Sequence, residues 1–287
     1  MSFTKAAAEI AVTQAAVSKQ VRMLEAFLGR KLFTRRGREL AINDEGRILY
    51  HAVARGLSTI SDGIDKVRRD RRPSRISIAM RLAFASQFMA PRLSALRKEF
   101  DGIDLNIVST EGNPLFLLDN VDMAIVLGYQ PQPDIVEDWL ITEEIFPVCS
   151  PAYAEGHPEL QTAGDIPGQT LIHLDDDHWA QLSWSPVDWP ALLRGLGADT
   201  QAPLEGWSVN SHEMLMSAAV SGVGLAVAWN HLCKELLDRK LLIRPVAGSY
   251  RIDRKHYLLT HNRIADDPAI QRLRQWFLQE TECFRQS

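Results

Sequence analysis

The stretch TQAAVSKQVRMLE, residues 13–25, has the pattern of an amphipathic helix with two different sides. Val17, Val21, Leu24 and Leu28 follow one another at spacings of four, three and four residues, which places them on one narrow apolar stripe. The opposite side carries small, hydrogen-bonding and cationic residues: Ala15, Ser18, Lys19, Arg22 and Ala26. This outward side is unusual for a short helix and needs a functional explanation.

The residues around this helix predict a helix-turn-helix. Residues 4–10 predict a short helix, and Ala11-Val12 leaves room only for a tight connection. Thr13 is a good N-cap, and Gly29 tolerates the positive φ that often ends a helix. Two helices joined by so short a turn match the helix-turn-helix arrangement.

The next segment, KLFTRRGRELAIN (residues 31–43), predicts a two-stranded wing. Leu32 and Phe33 precede a cationic turn, and Leu40 and Ile42 then alternate with other residues as in a half-buried strand. The arginines of the turn lie at the tip of this predicted wing.

A long linker helix is predicted from Asp44 to about Arg69, with Asn43 as its cap. Its apolar stripe consists of Ile48, Ala52, Leu57, Ile60, Ile64 and Val67. Residues 1–43, which we call the head, are too few to bury this stripe. Pairing with a second copy of the chain is therefore expected. The charged run RRDRRPSR, interrupted by Pro73, predicts a hinge.

Charge is divided unequally along the 287 residues. Residues 1–72 contain 15 Lys and Arg against 8 Asp and Glu, a net charge of +7. Residues 73–287 contain 17 against 28, a net charge of −11. A basic head on an acidic body indicates that the head meets a polyanion, although a solvated cationic surface is the alternative.

Composition excludes several other classes of protein. An apolar fraction of 46% and a charged fraction of 24% are ordinary for a globular protein, and no apolar run approaches the ~20 residues of a membrane span. No signal peptide is expected, and cytoplasmic localisation is predicted. The three cysteines, Cys149, Cys233 and Cys283, form no CxxC pair, so reduced thiols are the simple interpretation and a redox-sensing pair the alternative.

From Arg75 onward, strand patterns, among them TLIHL, SVNS, GLAVAW and LLIRPV, alternate with helical patterns such as Phe88–Phe100. This alternation predicts an α/β domain with a parallel sheet. No GxSxG, P-loop or HExxH motif is present, so no enzyme is predicted and no cofactor is implied. The run Asp175-Asp176-Asp177-His178 resembles metal ligands, but adjacent loop residues cannot all turn inward, and no metal site is expected. Trp179, Trp184 and Trp189 are interpreted as a packed surface flap or a pocket lining.

The outward face of residues 13–29 suits the major groove of DNA. A helix-turn-helix reads base edges from the N-terminal half of its second helix, which needs short residues, donors and acceptors, and cations for phosphate. The predicted DNA contacts are Thr13, Gln14, Ala15, Ser18, Lys19 and Arg22 on the helix and Arg35, Arg36 and Arg38 on the wing. The alternative is a solvated helix with chance arginines.

The whole chain resembles the LysR-type bacterial transcription regulators. The run SFTKAA, then TQ..VS.Q...LE..LG..LF.R..R, then the Glu-Gly start of the linker carries the resemblance in the head. VDMAIVLG, FPVCSP and SGVGLAVAW resemble the branch that contains the glycine-cleavage and β-lactamase regulators. The resemblance implies an N-terminal winged helix-turn-helix (1–43), a linker and hinge (44–72) and a two-subdomain, periplasmic-binding-protein-like effector domain (73–287). Family members usually carry a further helix before the position of Ser2, so the head is expected to lack its first helix, with weaker packing of Val17, Val21 and Leu24.

The resemblance also implies an effector cleft between subdomain I (75–146 plus 264–287) and subdomain II (147–263). Its candidate residues are Arg81, Leu82, Ala83, Phe84, Thr110, Gly128, Tyr129, Asn210 and Ser211. Arg81 is suited to pair with a ligand carboxylate, and a strand-to-helix junction exposes N–H groups to one. Ordinary loop structure is the alternative for each residue.

The sequence therefore predicts a transcription regulator that binds double-stranded DNA as a homodimer or homotetramer and responds to a small-molecule effector of unknown identity. The alternative is a small-molecule binding protein, or an enzyme on that fold, whose truncated head is non-functional. Salt-dependent binding to duplex DNA distinguishes the two.

Overall fold

The fold is described from a computed structural model. It describes residues 6–7, 12–36, 39–43, 45–50, 52–53, 56–57, 60, 74–179, 185–198 and 202–285. The chain divides into two compact units, Met1–Arg72 and Pro73–Ser287, which we call the front unit and the rear unit. No helix among the described residues is both long enough and apolar enough to cross a membrane.

The front unit is built on helix α1 (Gln14–Leu28). The Thr13 hydroxyl accepts a hydrogen bond from the Ala16 N–H (3.2 Å), and Gly29 ends the helix with φ +64°. Both residues therefore cap the helix as the sequence predicts. Of the helix predicted over residues 4–10, only residues 6–7 are described, and they are helical.

A two-stranded wing follows, formed by β1 (Phe33–Arg36) and β2 (Glu39–Ile42) in antiparallel register. Its start is fixed to α1 by Glu25, a buried side chain near the end of the helix. The Glu25 carboxylate accepts hydrogen bonds from the Leu32 N–H (2.9 Å) and the Lys31 ammonium (2.8 Å). This carboxylate sets the position of the wing relative to the helix.

The start of the linker helix is confirmed. Asn43 accepts a hydrogen bond from the Gly46 N–H (2.8 Å) and donates one to the Lys31 carbonyl (2.7 Å). Residues 45–50, 52–53, 56–57 and 60 are helical, whereas Ile64, Val67 and the predicted hinge lie outside the described residues.

The rear unit contains, in its described part, one eight-stranded sheet in the order β4-β3-β5-β10-β6-β9-β7-β8. Its strands are β3 (Ser74–Arg81), β4 (Ile103–Thr110), β5 (Met123–Leu127), β6 (Ile135–Val148), β7 (Leu171–Leu174), β8 (Gly206–Val209), β9 (Leu225–Trp229) and β10 (Tyr250–His261). β3, β4 and β5 are parallel to one another, and so are β7, β8 and β9. The long strands β6 and β10 run antiparallel between these two groups, so the sheet is mixed and not purely parallel.

Helices cover this sheet and bury its apolar residues. They are α2 (Leu93–Glu99), α3 (Pro151–Gly156), α4 (Asp176–Trp179), α5 (Trp189–Gly195), α6 (His212–Val220), α7 (Asn230–Asp238), α8 (Pro268–Glu280) and α9 (Glu282–Arg285). The helix predicted from Phe88 begins earlier, at residue 82, and contains a π-helical segment, Phe84–Met89. π-Helical segments are rare and occur frequently at functional sites.

Two large apolar clusters stabilise the rear unit. One contains Phe88, Met123 and Phe277, and the other contains Phe146 and Leu215, all of them almost fully buried. Each such side chain contributes about 1.5–3 kcal/mol through burial alone. The clusters hold in place the strands and helices whose polar residues line the cavity of the rear unit described below.

Candidate functional site

In the front unit, the N-terminal half of α1 presents its polar face to solvent. Gln14, Ala15, Lys19 and Arg22 are exposed, whereas Ser18 is half-buried. The Gln14 amide donates a hydrogen bond to the Ser18 hydroxyl (3.0 Å). These two side chains therefore engage each other in the free protein and offer both donors and acceptors to an incoming partner.

The apolar stripe of α1 is only partly covered. Val17 and Val21 are half-buried, whereas Leu24 and Leu28 are about 40% exposed. Phe27, which the sequence analysis did not single out, is 86% exposed.

The wing arginines have only partly described positions. Arg35 and Arg36 belong to β1, where they lie opposite Leu40 and Glu39 in the strand register. Their side chains, and the whole of Arg38, lie outside the described part of the chain.

The rear unit contains a small cavity of about 60 Å³ among the carboxyl ends of its strands and the adjoining helices. It is lined by Arg81, Ala83, Phe84, Leu127, Glu143, His178, Trp179, His212, Trp229, His231, Leu232, Arg254 and His256. We call it the effector cavity because it is the candidate for the effector site that the resemblance implies. Three aromatic rings, two arginines, one carboxylate and four histidines contribute to this lining, so apolar rings and ionisable groups face the same small space.

A buried carboxylate, Glu143 of β6, forms one end of the effector cavity. It is 4% exposed, and its Oε1 lies 3.2 Å from Nε2 of His256. Its Oε2 lies 3.9 Å from Nη1 of Arg254, whose Nη2 donates to the Ser185 carbonyl (2.6 Å). Glu143 and Arg254 therefore compensate each other's charge in a place that water does not reach freely.

Arg81, the last residue of β3, forms the other end. Its side chain is 16% exposed, and Nη2 lies 3.9 Å from Oε2 of Glu111. Burial lowers the pKa of the guanidinium, an effect that the neighbouring carboxylates of Glu111 and Glu213 oppose. An arginine keeps its charge under all ordinary conditions, so a cation is fixed at this end.

Two histidines between these ends are completely enclosed. His212 is 3% exposed and His231 is 2% exposed. Burial lowers the pKa of His212 to about 3, with the charges of His178 and Arg81 adding to the effect, and burial lowers the pKa of His231 well below its usual value. Both rings are therefore neutral at pH 7, and each carries one N–H donor and one lone-pair acceptor.

Aromatic contacts hold these rings in order along the cavity. The His231 and His256 ring centroids are 4.8 Å apart, and the His212 and Trp229 centroids are 5.6 Å apart. The Trp179 ring lies 6.1 Å from that of Trp229. His212 thus belongs to the Arg81 end, and His231 lies toward the Glu143 end.

A hydrogen bond joins the π-helical segment after β3 to helix α6. The Ser86 hydroxyl donates to Oε1 of Glu213 (3.0 Å), although the two residues are 127 positions apart. This contact joins the two segments that contribute Phe84 and His212 to the cavity lining.

Of the predicted effector residues, Arg81, Ala83 and Phe84 line the effector cavity, and the other six do not. Thr110 ends β4 beside Arg81 in the strand register. Asn210 and Ser211 precede α6, where the Ser211 hydroxyl accepts from the Met214 N–H (3.2 Å). Ser211 is therefore the N-cap of the helix whose first residue is His212.

The remaining predicted residues lie away from the cavity lining. Gly128 has φ +65° and donates its N–H to the Lys255 carbonyl (2.8 Å). Tyr129 packs 6.4 Å from Tyr257, between ring centroids. Leu82 is half-buried at the start of the helical segment that follows β3.

Sequence reasoning missed most of the polar lining. Glu143, His212, His231, Arg254 and His256 were not singled out, and His178 and Trp179 were weighed only for metal binding or packing. A usable signal was present, because His178, His212 and His231 each follow closely after a predicted strand. Polar residues after strand ends converge at one edge of a sheet.

The comparisons with known proteins match the front unit and the rear unit to two different domains. Residues 1–47 match "Bacterial regulatory helix-turn-helix protein, lysR family", and residues 69–282 match "LysR substrate binding domain". Together these matches define a transcription regulator with a separate ligand-binding domain. The chain belongs to the LysR family of transcriptional regulators, and the resemblance drawn from the sequence is confirmed.

Individual relatives support the same placement. The glycine cleavage system transcriptional activator of Escherichia coli K12 is 32% identical over 289 residues, covering 99% of this chain and 92% of the relative. The carbapenem-hydrolyzing beta-lactamase transcriptional activator of Enterobacter cloacae is 26% identical, covering 99% and 92%. The crystal structure of ArgP from Mycobacterium tuberculosis shares the fold, with a TM-score of 0.60 at 18% identity over 98% of this chain and 92% of that one.

Proposed function

We propose that this regulator binds duplex DNA through α1 and the wing, and that a small molecule in the effector cavity changes that binding. The observation that supports DNA binding is the exposed polar face of α1, which presents Gln14, Lys19 and Arg22 away from the apolar stripe. A helix of this length fits the major groove, and its N-terminal residues reach base edges.

The side chains have different roles in this proposal. Gln14 and Ser18 exchange their mutual hydrogen bond for bonds to base edges, and Ala15 permits close approach. Lys19 meets guanine or phosphate, and Arg22 meets phosphate. Thr13 acts mainly through its cap, because its hydroxyl already accepts the Ala16 N–H.

The wing arginines Arg35, Arg36 and Arg38 are proposed to neutralise the DNA backbone beside the recognition helix. Two of them continue β1, whose start is held by the Glu25 contacts. Phosphate contacts of this kind fix the orientation of a protein on DNA without reading its sequence.

Substitutions separate these roles. Arg22→Gln should weaken binding to all sequences and reduce the slope of log K against log salt by about 0.9, the value for one phosphate contact. Gln14→Ala should change sequence preference instead, measured by fluorescence anisotropy on a panel of duplexes. The matched control is Arg97→Gln, an exposed arginine of the rear unit, which should leave DNA binding unchanged. If both α1 variants bind all duplexes as the parent does, the proposed contacts are wrong.

We propose a homodimer as the DNA-binding form, with homotetramers as a further assembly. Val53, Leu57 and Ile60 are spaced by four and three residues along the linker helix, and each is at least 50% exposed. That stripe suits a second helix. Changing Leu57 to Glu should shift the chain toward monomer in sedimentation equilibrium and weaken DNA binding, and an unchanged mass would exclude this surface.

We propose that the effector cavity separates two subdomains, as the resemblance implies. The residues predicted for subdomain I are 75–146 plus 264–287, and those predicted for subdomain II are 147–263. The registers favour one adjustment, because His256–Thr260 of β10 pair with β5 of the first subdomain. We therefore place the second crossing near Arg254, within β10, and not after Arg263.

We further propose that the protein acts in the cytoplasm, where its DNA lies, and catalyses no reaction. Among the described residues, those that line the effector cavity include no serine, cysteine or lysine that would act as a nucleophile. The cavity is proposed to work by differential affinity for two arrangements of the regulator. The Ser86–Glu213 hydrogen bond is the contact that such a change would make or break.

A further inference from the structure

Several polar atoms of the effector cavity lack a hydrogen-bond partner within the described part of the chain. They are Nδ1 and Nε2 of both His212 and His231, Oε2 of Glu143, Nη1 of Arg81 and Nε1 of Trp179. Buried polar groups are nearly always hydrogen-bonded in proteins, and those that are not require an explanation. The lining is therefore prepared for a polar occupant.

The unpartnered atoms are arranged by charge. At one end, Arg81 and Trp179 offer only donors. At the other end, Oε2 of Glu143 offers only an acceptor. The neutral rings of His212 and His231 lie between them and each supply one donor and one acceptor.

The space limits the size of the occupant. A water molecule needs roughly 10–15 Å³ of probe-occupied volume, so a cavity of about 60 Å³ holds roughly four to six non-hydrogen atoms. Sugars, nucleotides and aromatic acids exceed this size.

The charge balance restricts the occupant further. Glu143 is offset by Arg254, and Arg81 by Glu111, so the lining has no large excess charge to neutralise. A simple anion or a simple cation would bring an uncompensated charge into a buried space, which is costly. A dipolar ion brings no net charge and pairs with both ends.

We infer that the effector cavity binds a small zwitterion of the α-amino-acid class, with its carboxylate at Arg81 and Trp179 and its ammonium at Glu143. This inference rests on the proposed effector role of the cavity and names the ligand class for it. The neutral histidines complete the hydrogen bonds of both groups, and the Phe84 ring, 6.2 Å from the rings of both His231 and His256, lies over the ammonium end.

Three small probes, alanine and two molecules that each lack one of its charged groups, test the inference on the full chain. Alanine carries both charged groups, propionate lacks the ammonium, and ethylamine lacks the carboxylate. Isothermal titration calorimetry at pH 7.5 should show binding of alanine, as one or both enantiomers, and at least tenfold weaker binding of the other two probes. Equal binding of propionate or of ethylamine would overturn the zwitterion assignment, and so would the absence of any alanine binding at 10 mM.

Substitutions test which end of the effector cavity binds the ammonium and which binds the carboxylate. Glu143→Gln should weaken alanine binding at least tenfold and reduce the preference for alanine over propionate. Trp179→Phe keeps an aromatic ring and removes the Nε1 donor. It should weaken the binding of alanine and of propionate by a similar factor while the protein stays folded. The control Arg97→Gln should bind alanine as the parent does. If both cavity variants bind alanine with parental affinity, the ligand lies elsewhere and the inference fails.

Anisotropy on duplex DNA with the same preparation separates this inference from the proposed function. Salt-dependent DNA binding together with no alanine binding would reject the ligand class and leave the DNA-binding role intact. Alanine binding with no DNA binding would support the ligand class and reject the DNA-binding role.

Discussion

Mild acid should destabilise the rear unit, because it encloses two neutral histidines. Burial lowers the pKa of His212 to about 3 and that of His231 well below its usual value. In the unfolded chain both return to a pKa of about 6.5. Between pH 7.5 and 5.5 the unfolded state therefore binds protons that the folded state does not, and the free energy of unfolding falls as the pH falls.

The size of the effect follows from this linkage. At pH 5.5, one histidine with an unfolded pKa of about 6.5 lowers the free energy of unfolding by ~1.4 kcal/mol, and at pH 7.5 by less than ~0.1 kcal/mol. Two such histidines together lower the free energy of unfolding by ~2.7 kcal/mol between pH 7.5 and pH 5.5. For a unit of this size, each kcal/mol corresponds to about 2–4 °C in Tm, so Tm should fall by roughly 5–11 °C.

Tryptophan fluorescence measures this change in the rear unit alone, because all seven tryptophans lie between Trp139 and Trp276. Urea unfolding at pH 7.5, 6.5 and 5.5 gives the free energy at each pH. His212→Phe should reduce the acid loss by about 1.4 kcal/mol, since one titrating group is removed. His51→Asn, in the front unit, is the control and should leave the fluorescence transition unchanged. Equal stability of the parent at pH 7.5 and 5.5, or an undiminished loss in His212→Phe, would refute the reasoning.

Three substitutions test the packing that supports the two sites. Glu25→Ala leaves the buried Leu32 N–H without its acceptor and should destabilise the front unit by about 1–3 kcal/mol, seen as faster hydrogen exchange in α1. Glu25→Gln keeps an acceptor oxygen and should lose less stability, and equal exchange rates in the two variants would contradict this. Gly46→Ala would place a Cβ 2.3 Å from the Leu32 carbonyl oxygen and should cost the same unit about 1–3 kcal/mol, so unchanged exchange would exclude the clash. Arg274→Gln removes the two hydrogen bonds to Asp138 (2.7 and 3.0 Å) and should lower the stability of the rear unit by about 1.5–3 kcal/mol. An unchanged midpoint of urea unfolding would contradict this.

The front unit was largely predictable because its signals are local. A cap at Thr13, a positive-φ glycine at Gly29 and an alternating wing each depend on residues close together in sequence. The role of Glu25 was not predictable in this way. Its carboxylate is buried only because the chain turns back after α1 and brings the Leu32 N–H to it.

The effector cavity was harder to predict because its residues come from distant parts of the chain. The resemblance led to Arg81, Ala83 and Phe84, which follow the first strand of the rear unit. Glu143 and His256 lie inside long strands, where alternation alone does not distinguish a cavity-facing residue from a surface one. Their contact depends on the register between β6 and β10, which contains an irregularity at this point.

The strand pattern also predicted a parallel sheet and missed the two antiparallel strands at its centre. A short apolar run fits a strand buried on both faces whichever way the strand runs, so the apolar pattern alone does not give the direction of a strand. The segment LLIRPV, interpreted as a strand, forms only an isolated bridge between Ile243 and Cys149.

The central claim is that the front unit reads duplex DNA, and the most direct test is a salt titration of its affinity. The intact chain, shown to be folded by hydrogen exchange in α1 as well as by its tryptophan fluorescence, would be titrated against the duplex upstream of its own coding sequence between 50 and 200 mM salt. With six to ten phosphate contacts, the affinity should fall by roughly 10³–10⁵ over this range. No binding at 50 mM salt, or an affinity that does not change with salt, would contradict the account.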